Sequence, residues 1–200
     1  MQLVSSPLSP FVRKVRVLLL EAGLAEQVEV VDVATTPFET DAQAAAANPL
    51  GKIPALMRND GPTLYDSRVI TRYLDERAGG GFYPHARLWE VLTLEATAEG
   101  IMEAALSMAY EARFRPEPMQ YAPWVEAQWS KVARALDAVE ARWMSHLAGP
   151  LDMSHISVGC ALGYLDFRHD ARGWRQARPA LDDWYAVFAE RDSMRQTAPA

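Results

Sequence analysis

The 200-residue chain contains one cysteine, Cys160. That count excludes an internal disulfide framework, a CxxC redox pair and any multi-cysteine zinc site. Positive charge is also scarce. Twenty Lys and Arg against 26 Asp and Glu give a formal net charge of −6. An acidic chain is a poor non-specific ligand for nucleic acid or an anionic membrane. Long apolar runs are missing too. The longest near the start, Val15 to Leu20, is broken by Arg16 and is too short to span a bilayer. The first residues show no basic segment followed by an apolar one, so no targeting peptide is expected, and a reduced cytoplasmic setting fits. No Walker or dinucleotide glycine pattern is present. What remains is ordinary for a folded soluble chain, with 50% hydrophobic and 23% charged residues. This length suits one large domain or two small ones.

The pattern along the chain changes once. Gln2 to Ser5 reads as a short buried strand. Pro10 to Gly23 reads as a helix, with Val12, Val15, Leu19 and Ala22 at helical spacing and Gly23 where a helix stops. Val28 to Val33 is β-branched and reads as a strand. Asp41 to Ala47 reads as a small helix, and Ile53 to Arg58 as a third strand. Asn59-Asp60-Gly61 is a hairpin signal leading to Thr63-Leu64-Tyr65. Asp66 to Arg77 reads as a helix. The order β-α-β-α-β-β-α gives a mixed sheet with helices. After the glycine-rich stretch Ala78 to Pro84 no good strand follows. Leu88 to Phe114, Trp124 to Leu147, Ile156 to Phe167 and Leu181 to Arg191 read as helices, the first with a possible break near Gly100.

Several motifs punctuate these elements. Ser9-Pro10-Phe11-Val12-Arg13-Lys14-Val15-Arg16 opens the first helix. Asn48-Pro49-Leu50-Gly51-Lys52-Ile53-Pro54 is a turn feeding a strand. Asp66-Ser67-Arg68-Val69-Ile70 opens another helix, and Gly163-Tyr164-Leu165-Asp166-Phe167-Arg168 lies in the apolar one. In this order they resemble the cytosolic glutathione S-transferase superfamily, nearest its bacterial, serine-containing, theta/zeta-like members, over essentially the whole chain. The resemblance implies a thioredoxin-like α/β N-terminal domain over 1–78 that binds glutathione. A linker over 79–87 and an all-α C-terminal domain over 88–200 would follow. It further implies glutathione as co-substrate, a small hydrophobic electrophile as acceptor, a homodimer, and no metal.

Each motif has a local reading and a functional one. Ser9 before Pro10 is an N-cap followed by proline at the first helical position, and capping alone accounts for it. A helix N-terminus also favours an anion, and a thiol held there shifts toward thiolate. One pKa unit takes only about 1.4 kcal/mol, within reach of one charge-assisted hydrogen bond. The resemblance implies that Ser9 contacts the thiol; Ser5 and Ser6 are the neighbouring alternatives. Serine cannot form a mixed disulfide, so glutaredoxin-like exchange is not expected. Cys160 reads as a small buried hydrophobe.

For the second motif the resemblance implies a cis Ile53–Pro54 bond and strand-like pairing of Ile53 with the cysteinyl part of glutathione. Lys52 would approach the glycyl carboxylate or simply be a solvated lysine. In the third, Asp66 and Ser67 suit helix capping. The resemblance implies Ser67 for the γ-glutamyl carboxylate and Asp66 for its ammonium, where many members carry glutamate. Arg13, Lys14 and Arg16 read as a solvated basic face, or as a run that attracts an anionic tripeptide to an otherwise acidic protein.

In the helical half, Met102, Leu106, Tyr110 and Phe114 recur at helical spacing. Leu106 and Tyr110 are the candidates for the electrophile pocket, against a plain core stripe for the rest. Asp152 reads as the N-cap of the apolar helix, with His155 where a reciprocal acid is expected. A histidine there is not expected to repeat that bond in the same way, and its cation would oppose the helix dipole, so lower stability is expected below the histidine pKa. His155 has no second metal ligand at a helpful spacing, and His85 and His169 show no metal pattern either. The function these observations imply is glutathione transfer to small electrophiles, with a possible peroxidase side activity. The alternatives are a non-catalytic binding or regulatory protein on the same scaffold, or a glutathione-dependent isomerase or dehalogenase.

Overall fold

The computed structural model describes residues 1–199. They divide into two units, residues 1–87 with the segment from Asp192, and Leu88–Arg191.

The first unit is built on a sheet of three strands, β1 (Gln2–Ser5), β2 (Glu29–Asp32) and β3 (Ala55–Met57), in the order β2-β1-β3. β1 and β2 are parallel, with Leu3 opposite Val30, and β1 and β3 antiparallel, with Leu3 opposite Leu56. A parallel pair needs a crossover. Helix α1 (Pro10–Glu21) supplies it and buries Val12, Val15, Leu18 and Leu19. The helix ends where Gly23 takes a left-handed φ of 66° and Leu24 N–H donates to the Leu19 carbonyl. α2 (Ala42–Ala47) is capped by Asp41, whose side chain accepts from the Gln43 and Ala44 amides. α3 (Ser67–Arg77) buries Ile70 and Leu74.

The hairpin partner expected over 63–65 is reduced to one bridge. Leu56 and Leu64 exchange two backbone hydrogen bonds of 2.9 Å each. Pro62 has no N–H to extend that ladder, and Asp66 already caps the next helix. The sheet is mixed, as the βαβαββα order implies, but the fourth strand is a bridge.

In the second unit, α4 (Leu88–Phe114) is one uninterrupted helix of 27 residues, with no break at Gly100. It packs against α5 (Ala122–Arg142) and α7 (Met153–His169). Trp143 separates α5 from the short α6 (Met144–Leu147), and α8 (Pro179–Phe188) follows. Every residue of α7 from Met153 to Leu165 is buried, Cys160 completely. A helix apolar all round belongs in a core. Its end is held by Asp166, which accepts from Trp174 Nε1 and pairs with Arg175 at 2.6 Å.

The last helix, α9 (Asp192–Gln196), packs against α1 in the first unit, although 88–200 reads as one helical domain in the sequence. The cause is Arg13, which donates to the Met194 carbonyl at 2.9 Å and to Thr197 Oγ1. This corrects the solvated basic face: Arg13 and Lys14 are buried, Lys14 completely, and Arg16 is half-buried. Among the described residues no helix is long and apolar enough to cross a membrane.

Candidate functional site

β1 delivers the chain to a turn, Ser6 to Leu8, and then to the N-terminus of α1. Ser9 is the N-cap, with extended backbone at φ −88° and ψ 122°, and Val12 N–H donates to its Oγ at 3.3 Å. The capping bond uses an acceptor lone pair of the hydroxyl. A serine hydroxyl has a second lone pair and one O–H donor. Capping and thiol contact are therefore compatible in one side chain. Pro10 has no N–H and the Val12 N–H is taken, so the first turn retains the Phe11 N–H for an anion. Ser9 is half-buried, as is Ser6, whereas Ser5 is fully buried in β1 with no hydrogen bond to its Oγ.

The sheet register brings the other two motifs to this end. Val4 lies opposite Ala55, so continuing the register sets Ser5 across from Pro54. Leu56 lies opposite Leu64, so the same continuation sets Pro54 across from Asp66. The end of β1, the start of β3 and the start of α3 thus share one edge of the sheet. The Ile53–Pro54 bond is cis, as the resemblance implies, and so is Tyr65–Asp66. Ile53 is half-buried and packs on the Val4, Ala44, Ala47 and Ala55 cluster. Pro54 is buried and Lys52 exposed. Asn48 ties the preceding turn by donating from Nδ2 to the Lys52 carbonyl at 2.9 Å.

Asp66 caps α3, accepting from the Arg68 amide at 3.0 Å and pairing with the Arg68 guanidinium at 2.9 Å. Burial pushes its carboxyl upward, but the bonds and charge of Arg68 and the charge of Lys14 outweigh that and hold it below the usual carboxylate range. Ser67 beside it is buried. A cleft of about 360 Å³ is lined by Tyr65, Asp66, Arg68, Val69 and Arg72. Lys14, like Arg13, is buried where the sequence reads as solvated. It lies four positions before buried Leu18, on one stripe of α1, and that spacing was the available signal.

In the helical unit, Leu106 and Tyr110 are half-buried on α4, and Met102 is core. Tyr110 meets Phe114 edge-on at 5.2 Å between ring centroids. Tyr164, on α7, is buried, and burial pushes its hydroxyl up to about 12 against the opposing charge of Arg168.

At the start of α7 the expectation about His155 is corrected. The Asp152 amide donates to His155 Nδ1 at 3.3 Å while Asp152 Oδ1 accepts from the Ser154 amide at 3.0 Å, which completes a capping box. The imidazole lone pair replaces the reciprocal carboxylate while Nδ1 is unprotonated; once protonated, Nδ1 donates to Asp152 Oδ1 instead. His155 Nδ1 is also 2.8 Å from Asp152 Oδ1, and His146 Nε2 is 3.0 Å from Asp152 Oδ2. Burial raises the Asp152 carboxyl, but hydrogen bonds from His155 and Ser154 and the charges of His155 and His146 bring it down to about 2. The cation that would oppose the helix dipole has a carboxylate against it. The absence of a second metal ligand is corrected as well, since one ligand atom each of His146, Asp152 and His155 lies within 4.8 Å of the others. Hydrogen bonding within the cap accounts for Asp152 Oδ1 and His155 Nδ1 without an ion.

The geometry has counterparts among known proteins. Residues 8–77 match the glutathione S-transferase N-terminal domain, and residues 122–186 its C-terminal domain. The chain is 34% identical to the uncharacterized GST-like protein YibF of Escherichia coli (strain K12), covering 100% of this chain and 98% of that one. It is 44% identical to a glutathione transferase family member from Pseudomonas fluorescens Pf-5 solved with bound glutathione, with a TM-score of 0.97 over 100% of this chain and 98% of the other. A second structure of a Pf-5 family member, with bound S-(propanoic acid)-glutathione, is 42% identical with a TM-score of 0.92 and full coverage of both chains. The chain belongs to the glutathione S-transferase family.

Proposed function

We propose that this chain binds glutathione in its N-terminal unit and activates the thiol for attack on a small electrophile. The observation that carries this reading is Ser9 at the N-cap of α1, at the sheet edge that β3 and α3 also reach. Similar chains hold glutathione in their structures, which supports the same ligand here. In this reading Ile53 offers its backbone to the cysteinyl part. Lys52 meets the glycyl carboxylate, and Ser67 and Asp66 take the γ-glutamyl end. The Ser9 O–H donates to the sulfur and stabilises the thiolate. It does not remove the proton, because a serine hydroxyl is too weak a base. The thiol proton passes to water, the thiolate lone pair forms the C–S bond, and the displaced pair leaves with the leaving group or settles on the acceptor and is protonated. Leu106 and Tyr110 contribute to the acceptor pocket, and the protein acts as a cytoplasmic homodimer.

The test is Ser9→Ala assayed with an aryl halide or an organic peroxide, alongside retention on immobilised glutathione. Retention of both proteins with a loss of turnover in the variant is the expected result. Unchanged turnover removes Ser9 from the mechanism, and failure of the native chain to be retained removes the glutathione reading.

A further inference from the structure

The start of α7 brings together more ligand atoms than its cap uses. The cap consists of Asp152 Oδ1, which accepts from the Ser154 amide and hydroxyl, and His155 Nδ1, which meets the Asp152 amide. A single acid at the His155 position would complete the same box. Here two imidazoles converge on one buried carboxylate instead. His146, from α6, sets its Nε2 3.0 Å from Asp152 Oδ2 and 3.0 Å from Ser154 Oγ. His155 Nδ1 is 2.8 Å from Asp152 Oδ1. One ligand atom from each of the three residues lies within 4.8 Å of the other two. All three belong to the helical unit, and capping makes no use of His146.

A second observation does not depend on these bonds. His155 is 3% exposed, and its Nε2 is buried with no hydrogen bond among the described residues. Buried polar nitrogens are ordinarily paired. The cap therefore accounts for one nitrogen of this ring and not for the other. Aromatic rings wall the cluster. The two imidazole centroids are 5.5 Å apart, Trp143 meets His146 edge-on at 5.7 Å, and Trp184 is 6.3 Å from His155.

We infer that His146 Nε2, the Asp152 carboxylate and a ring nitrogen of His155 form a binding site for a divalent transition metal of the zinc type. Imidazole and carboxylate donors suit zinc, cobalt, nickel and copper, whereas magnesium and calcium take all-oxygen sites. Donors placed tetrahedrally about 2.0–2.1 Å from an ion stand about 3.3 Å apart. The contacts of His146 and His155 with Asp152 are already close to that, and His146, partly exposed at the end of α6, can turn to close the remaining gap. Either nitrogen of His155 can serve. Ligation through Nε2 occupies the atom that has no hydrogen bond, and ligation through Nδ1 replaces the long 3.3 Å contact with the Asp152 amide. Three protein ligands leave a fourth position for water, beside Ser154 Oγ. Metal binding displaces protons from its ligands. A divalent ion in place of two imidazolium protons leaves the local charge unchanged, with the carboxylate still set against the helix dipole. The ion pins α6 to the first turn of α7 across the exposed turn at 148–150. The inference is independent of the transferase reading.

The experiment titrates the full chain, first stripped with a chelator, with cobalt(II) chloride, followed by visible absorption and tryptophan fluorescence. One equivalent of cobalt is expected to give the d–d bands of a four-coordinate site, to quench part of the fluorescence through Trp143 and Trp184, and to be displaced by zinc. Zinc is also expected to raise the melting temperature of the native chain by several degrees, since it binds only the folded form. His146→Gln and His155→Gln are each expected to weaken cobalt binding at least tenfold and to remove the zinc-dependent shift. His155→Gln keeps an amide oxygen at the capping position, and His146→Gln, at a partly exposed position, stands as the test should the other variant fail to fold by circular dichroism. His85→Gln, at an exposed position in the first unit, is expected to change nothing. Absence of a saturable band at one equivalent overturns the inference. So does a band that survives in the folded His146 and His155 variants, and so does one that is lost in His85→Gln.

Discussion

The cap that Ser9 supplies and the thiol contact proposed for it have energies that can be separated. As N-cap it satisfies the Val12 N–H, and losing such a cap costs about 1 kcal/mol. In the proposed role as thiol donor it would act through the O–H that the cap leaves free. Ser9→Ala removes both, whereas Ser9→Asn keeps a capping oxygen but no hydroxyl. The alanine variant is expected to melt lower by about 1 kcal/mol and to raise the pKa of bound glutathione by about one unit. The asparagine variant should keep the stability to within a few tenths of a kcal/mol and still lose most turnover. Thermal denaturation and ultraviolet titration of the bound thiolate measure the two effects. An asparagine variant that retains full turnover would refute the hydroxyl's role.

At the scale of elements, two helix ends make distinct predictions. The first is the cap of α7. The Asp152 carboxyl titrates at about 2 in the folded chain against an ordinary 3.8. A depressed folded value means that the stabilisation is fully present above 3.8 and is lost as pH falls through about 2. The difference corresponds to roughly 2 kcal/mol. Asp152→Asn retains a capping oxygen but not the titration, so its stability should vary less across that window. Denaturant unfolding at several pH values checks this, and parallel curves for the two proteins would refute it. The second is the docking of α9 on α1 through Arg13 and the Met194 carbonyl. Arg13→Ala leaves that carbonyl without its partner. A loss of about 1–3 kcal/mol is expected, with faster amide exchange confined to the C-terminal segment. Exchange that rises evenly over the first unit would show that Arg13 supports the sheet rather than the tail.

For the whole molecule, charge sets a test. Glutathione is a net anion, and the chain is at −6. Net charges of like sign predict that salt, by screening repulsion, strengthens binding. Local charge predicts the opposite: Lys14 is buried deeply enough to act on Asp66, and Lys52 and the α1 N-terminus are of the same sign. Within the roughly 10 Å over which charge acts at moderate ionic strength, the local positive groups dominate. Glutathione affinity is therefore expected to fall severalfold between low and high salt. Calorimetry across ionic strength decides, and an affinity that rises with salt would place the ligand away from these groups.

Much of this chain is determined by sequence alone, because its signals are local. The Ser9-Pro10 cap, the left-handed Gly23 and the β-branched run at 28–33 each act within a few residues, and each lies where those preferences put it. The caps Asp66 and Asp152 are local in the same sense. Other features depend on groups far apart in the chain. Lys14 reads as solvated because lysine usually is, and it is buried because α1 turns it toward α3, where Asp66 lies. Arg13 reads as a surface cation, and the C-terminal segment, 181 residues away, covers it. The fourth strand shrinks to a bridge once Pro62 and the cap at Asp66 limit its ladder. His155 reads as a poor capping partner until His146 and the buried Asp152 carboxylate surround it. Local backbone preference is encoded residue by residue, whereas burial and charge pairing depend on neighbours that only the folded chain supplies.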